Sequence, residues 1–122
     1  MSGSPTIDEV LTELRAHGYR FACEKDLQSG VETVLKRRRW TYAREHQLTS
    51  RDRPDFFLKN SIALELKIKG SLTEVTRQLH RYAQHPSVEA IILMTSRSRH
   101  RGVPRVLNEK PVHVVYLGLD AF

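Results

Sequence analysis

Two short stretches of this chain hold residue types that can do chemistry: Arg53-Pro54-Asp55 and, ten residues beyond Asp55, the tripeptide Glu65-Leu66-Lys67. Apolar side chains alternate through Ile62, Leu64, Leu66 and Ile68, so residues 61–69 predict a β-strand. Residues two apart on a strand share a face. That places Glu65 and Lys67 side by side, in line with Ala63 and Lys69, while Leu66 turns towards the core. If Asp55 sits on the adjacent strand of a hairpin, its carboxylate approaches Glu65. Two close carboxylates are costly unless a cation lies between them. Hard oxygen ligands with open positions are what Mg²⁺ or Mn²⁺ require in phosphoryl chemistry. The ordinary alternative is a solvated strand face, where Glu and Lys at i and i+2 are common.

Such a pair needs strands to carry it and helices to cover it. Residues 5–17 predict a first helix, with Pro5 near its start, Ile7, Val10, Leu11 and Leu14 at helical spacing, and Gly18 ending it. Residues 24–38 predict a second, with Leu27, Val31, Val34 and Leu35 as its apolar stripe. Residues 41–48 and 55–59 predict two strands joined by the turn 49–54, ahead of the strand 61–69. A third helix is expected over 72–85, with Leu72, Val75, Leu79 and Tyr82 inward and Pro86 stopping it. The near-continuous apolar run 88–95 suits a central strand buried on both faces. A basic loop, 96–105, precedes a last strand at 112–117. The expected class is α/β: a mixed central sheet flanked by helices, with a right-handed crossover after the third strand.

In this order the residues resemble the PD-(D/E)xK nuclease superfamily, with Pro54-Asp55 and Glu65-Leu66-Lys67 in the motif positions. The resemblance covers about residues 24–95 and implies a restriction-endonuclease-like αβββαβ core. Helix 5–17 and strand 112–117 are then additions within a single domain spanning 1–122. It further implies that Asp55, Glu65 and the backbone carbonyl of Leu66 bind one or two Mg²⁺ ions, with Mn²⁺ able to substitute. Lys67 would position or help deprotonate the attacking water. Gln78 and Tyr82 form a Q-x3-Y pattern similar to that of exonuclease-type and phage-type members. Glu24 and Gln28 form an E-x3-Q pattern similar to that of VRR-NUC and Holliday-junction resolvase-like members, in which a helix-borne Glu completes the metal site. The implied function is hydrolysis of DNA phosphodiester bonds by a structure-specific or repair and recombination endonuclease, with RNA not excluded as substrate.

Helical geometry chooses between two glutamates for that role. Glu24 lies at the inward edge of the apolar stripe, whereas Glu32 should face mostly solvent and is held in reserve. An acidic residue in a first helical turn is also favoured by the helix dipole alone. Tyr82 continues the stripe of Val75 and Leu79 and could be core with a wet hydroxyl. Gln78 interrupts the apolar face and, if buried, needs a partner such as a phosphate or a carboxylate.

The chain has 20 Lys and Arg against 14 Asp and Glu, a formal charge of +6, and a pI near 9.8. That balance favours a polyanionic partner. Lys69, on the face of Glu65 and Lys67, is a candidate for a substrate phosphate. Arg97, Arg99, Arg101 and Arg105 read as a phosphate-contacting loop or a merely solvated one. Lys36 to Arg39 suit the end of the second helix, and Arg77 and Arg81 are expected to be solvated. The single cysteine, Cys23, excludes an intrachain disulfide and a cysteine zinc cage. His80 and His85, five apart, fall on different helix faces and are expected at the surface.

No P-loop, dinucleotide or G-x-S-x-G pattern is present. No apolar run approaches the ~20 residues of a spanning helix, and the start lacks a signal-like pattern, so no membrane partner and a cytoplasmic location are expected. Cutting a duplex or junction takes two active sites, which suggests a homodimer. The rivals are a non-catalytic nucleic-acid-binding module on the same scaffold and a protein-interaction subunit assembling through a sheet edge.

Overall fold

The computed structural model describes residues 4–118. Three helices form where the apolar stripes lie. Helix α1 (Ile7–Ala16) starts at a reciprocal capping box between Thr6 and Glu9 and buries Val10, Leu11 and Leu14. Helix α2 (Glu24–Arg37) buries Leu27, Val31, Val34 and Leu35. Helix α3 (Leu72–Ala83) starts at a second capping box, Ser71 with Glu74, and buries Val75, Leu79, Tyr82 and Ala83.

Six strands form one mixed sheet: β1 (Tyr42–Arg44), β2 (Phe56–Leu58), β3 (Ile62–Lys67), β4 (Ala90–Thr95), β5 (Val106–Leu107) and β6 (Lys110–Tyr116), in the order β1-β2-β3-β4-β6-β5. The first three run as an antiparallel meander, β3, β4 and β6 are parallel, and β5 closes back antiparallel on β6. The chain is thus an α/β protein with helices against a mixed sheet, and residues 24–95 follow the element order α-β-β-β-α-β. All six residues of β4 are buried, as its apolar run requires.

Several boundaries differ from the sequence reading. The first strand stops at Arg44 because Glu45 takes a positive φ of 47° and turns the chain. Strand β3 ends at Lys67, so Lys69 lies beyond it on the connector to α3 and not on the strand face. Gly70, at φ 99°, turns that connector into the helix. Within 96–105 the chain makes a 3-10 turn, Ser98–Gly102. Strand β5 was not foreseen; Asn108 and Glu109, both at positive φ, make the two-residue turn that joins it to β6.

Neither face of β3 is open. Leu64 and Leu66 pack with the stripes of α1 and α2, while Ala63 packs with Val75, Leu79 and Tyr82 of α3. Glu65 therefore leaves the sheet into the layer beneath α3. Because β3, β4 and β6 are parallel, their carboxyl ends gather at one edge, where open α/β sheets bind ligands. No helix among the described residues is long and apolar enough to cross a membrane.

Candidate active site

Pairing of β2 with β3 ends at Phe56 opposite Leu64. Asp55 and Glu65 come next, just past the ladder. The backbone N–H of Asp55 donates to Glu65 Oε1 at 3.3 Å, and Asp55 Oδ2 accepts the backbone N–H of Leu66 at 2.8 Å. The N–H and carbonyl of one strand residue point to the same side. The Leu66 carbonyl is thus turned towards the Asp55 side, where no strand competes for it.

Glu65 is only 3% exposed. Its Oε1 also accepts the Tyr82 hydroxyl at 2.9 Å, and its Oε2 lies 3.2 Å from Lys67 Nζ. Gln78 Nε2 donates to the Tyr82 hydroxyl at 3.0 Å, so the partner that Gln78 needs is the tyrosine, and through it the carboxylate. Burial pushes Glu65 up to about 7, the nearby Asp55 charge adds to the rise, and Lys67 and Tyr82 oppose it. Asp55 is also raised, by burial first and by the charge of Glu24, against the Leu66 N–H, Lys67 and Gln78. Burial and the Glu65 charge push the Tyr82 hydroxyl up in turn.

These groups fit a hard divalent cation. Both carboxylates are held in surroundings that disfavour their negative charge, the condition a cation relieves. Among the described residues no group of three or more His, Cys, Asp or Glu side chains is drawn together to hold a metal. The groups that could hold a cation are therefore two carboxylates and one carbonyl, which would leave positions for water and substrate, as Mg²⁺ commonly keeps them. Glu24, expected to complete the shell, is not drawn in as a third carboxylate.

Glu24, at the start of α2, lines a cavity of about 170 Å³ together with Lys67, Lys69, Gly70 and Gln78. The sequence-predicted residues Glu24, Asp55, Glu65, Lys67, Gln78 and Tyr82 thus gather at one place, with Lys69 at its rim. Glu32 goes elsewhere. It is half-buried, not solvent-facing, and binds the Tyr42 hydroxyl at 2.5 Å and Arg44 at 3.3 Å.

The basic loop has internal partners that sequence reasoning did not supply. Arg97 Nε donates to the Ile68 carbonyl at 2.6 Å and Arg99 Nε to the Gly70 carbonyl at 2.9 Å. His100, fully buried, bridges the Thr95 hydroxyl (2.6 Å) and the same Gly70 carbonyl (2.8 Å). Arg101 lies over the Tyr116 ring at 4.4 Å, and Arg105 donates to the Val103 carbonyl at 2.6 Å. The 97–100 segment therefore braces the connector that carries Lys69.

Two further residues matter that the sequence reading did not assign to the site. Arg81, expected in solvent, pairs at 2.8 Å with Asp52, which is 8% exposed, and so ties the loop leading into Asp55 to helix α3. Gln28 reaches Asp55 Oδ1 at 3.4 Å; the E-x3-Q spacing was its only signal. Comparison with protein-family models, with curated proteins and with solved structures finds no match.

Proposed function

We propose that the chain is a metal-dependent nuclease of the PD-(D/E)xK type, on a restriction-endonuclease-like core, that hydrolyses DNA phosphodiester bonds. The observation that carries this reading is the convergence of Asp55 and Glu65 past the end of the β2–β3 ladder, with Lys67 ion-paired to Glu65. Asp55, Glu65 and the Leu66 carbonyl would hold Mg²⁺, or Mn²⁺ in its place, while Glu24 on the wall of the same cavity would tune the site through its charge. Such an ion, when bound, polarises a phosphate and lowers the pKa of water.

The chain's own groups do the rest. Lys67 orients the attacking water and offsets the charge that develops on the phosphate oxygens. Tyr82, itself held by Gln78, donates to Oε1 of Glu65 and leaves Oε2 facing Lys67. Lys69 takes a neighbouring phosphate at the cavity rim. Arg97, Arg99 and Arg101 add positive charge near the carboxyl ends of the parallel strands, using guanidinium N–H groups not committed to the fold. Arg105, whose carbonyl accepts the Val112 N–H near the start of β6, lies towards the other end of the sheet. The substrate class we propose is branched or otherwise structured DNA of repair or recombination, cut by a homodimer where both strands are broken.

The test is incubation of the protein with labelled linear, flapped and four-way-junction DNA, with Mg²⁺ or Mn²⁺ and with chelator. Metal-dependent cutting is expected, and the preferred substrate names the subclass. Salt-sensitive binding with no cutting of any of them would replace this reading with a nucleic-acid-binding module.

A further inference from the structure

We infer that Gln28 and Arg44 form a positioning relay, anchored by Glu32, that fixes the orientation of the Asp55 carboxylate; this rests on the nuclease reading of the Asp55–Glu65 site. Asp55 Oδ2 is held by the Leu66 N–H, but one bond leaves a carboxylate free to turn about its Cβ–Cγ axis. The second hold is Gln28 Nε2, on Oδ1. A glutamine amide has a donor end and an acceptor end and could face Asp55 with either.

Arg44 decides which. A guanidinium offers only donors, so it must face the amide oxygen, and Arg44 Nη2 meets Gln28 Oε1 at 3.2 Å. The NH₂ end is thereby turned to Asp55. Arg44 is itself fixed by Nη1 on Glu32 Oε1 at 3.3 Å, and Glu32 Oε2 is occupied by the Tyr42 hydroxyl. The guanidinium also lies over the ring of Phe56, the residue after Asp55, at 5.5 Å from its centroid.

Direct phosphate binding by Arg44 is the competing use of this side chain. Each of its terminal nitrogens makes one bond within the fold and its charge is offset by Glu32, which weakens its pull on an anion. The relay instead acts on the oxygens that Asp55 presents to a cation. Partners of this kind typically alter metal affinity 10- to 100-fold when removed.

Titration of the full chain with Mn²⁺ by calorimetry, without DNA, separates the possibilities. Wild type should bind, Asp55→Ala should not, and Gln28→Leu and Arg44→Met should each weaken binding about tenfold. The double variant should be little worse than either single one, and Arg44→Lys should recover part of the loss. Mn²⁺ affinity unchanged in both Gln28→Leu and Arg44→Met, with Asp55→Ala still inactive in binding, would overturn the relay while leaving the metal site in place. Weaker DNA binding by Arg44→Met with Mn²⁺ affinity intact would make Arg44 a phosphate contact instead. No Mn²⁺ binding by wild type would remove the nuclease reading, and the relay with it.

Discussion

The Tyr82 hydroxyl donates to Oε1 of Glu65 at 2.9 Å, joining helix α3 to strand β3 through a carboxylate that has almost no contact with solvent. Since Gln78 donates to the same hydroxyl, the tyrosine proton is directed at Glu65. Tyr82→Phe deletes this donor and leaves the Gln78 amide without its acceptor. A hydrogen bond to a charged group contributes about 1.5–3 kcal/mol. The expected outcome is a loss of roughly 2 kcal/mol in chemical denaturation at pH 8, with the acidic limb of the pH–cleavage profile moved to higher pH.

Glu65 gives the protein an unusual pH dependence. Its folded-state carboxyl is raised from the ordinary 4.5 to about 7, so between these values the folded state binds more protons than the unfolded one. Stability from this group is present in full below pH 4.5 and is lost as pH rises through about 7. The loss is on the order of 3 kcal/mol, using ~1.4 kcal/mol per pKa unit. Glu65→Gln should flatten this part of the stability–pH curve. If Glu65 is a metal ligand as proposed, Mn²⁺ should raise the wild-type melting temperature more at pH 7.5 than at pH 5, because a cation would bind the ionised carboxylate. Equal stabilisation at both values would count against Glu65 as a ligand.

The Asp52–Arg81 pair is a structural tie and not part of the chemistry. Arg81→Met leaves the Asp52 carboxylate buried without its cation, and Arg81 is itself about a third exposed, so a loss of roughly 1–2 kcal/mol is expected. Thermal denaturation would show it. Mn²⁺ affinity measured well below the melting temperature should stay close to wild type.

Much of this site is legible because strand and helix periods are strict. The alternation at 62–68 sets Glu65 and Lys67 on one face, and i, i+4 spacing puts Gln78 over Tyr82. The alternation could not tell that α3 covers the polar face of β3, because Glu65, Lys67 and Lys69 read equally well as a solvated row. Long-range partners were also out of reach. The carbonyls that receive Arg97 and Arg99, and the carboxylate that receives Arg81, come from segments 29 residues away. A basic loop looks alike whether its guanidinium groups meet phosphates or its own backbone. The length of β1 depended on one left-handed residue, Glu45, for which neither glycine nor asparagine gave a warning.

The most direct measurement is Mg²⁺-dependent cleavage of the preferred labelled DNA by wild type, Glu65→Ala and Lys67→Ala, with near-ultraviolet circular dichroism on each to report the fold. The proposed nuclease reading predicts cutting by wild type and a loss of at least about a hundredfold, on the order expected for removing one such stabilising group, in both variants with unchanged spectra. Undiminished metal-dependent cutting by either folded variant would contradict the assignment of Glu65 and Lys67 as the centre of the site.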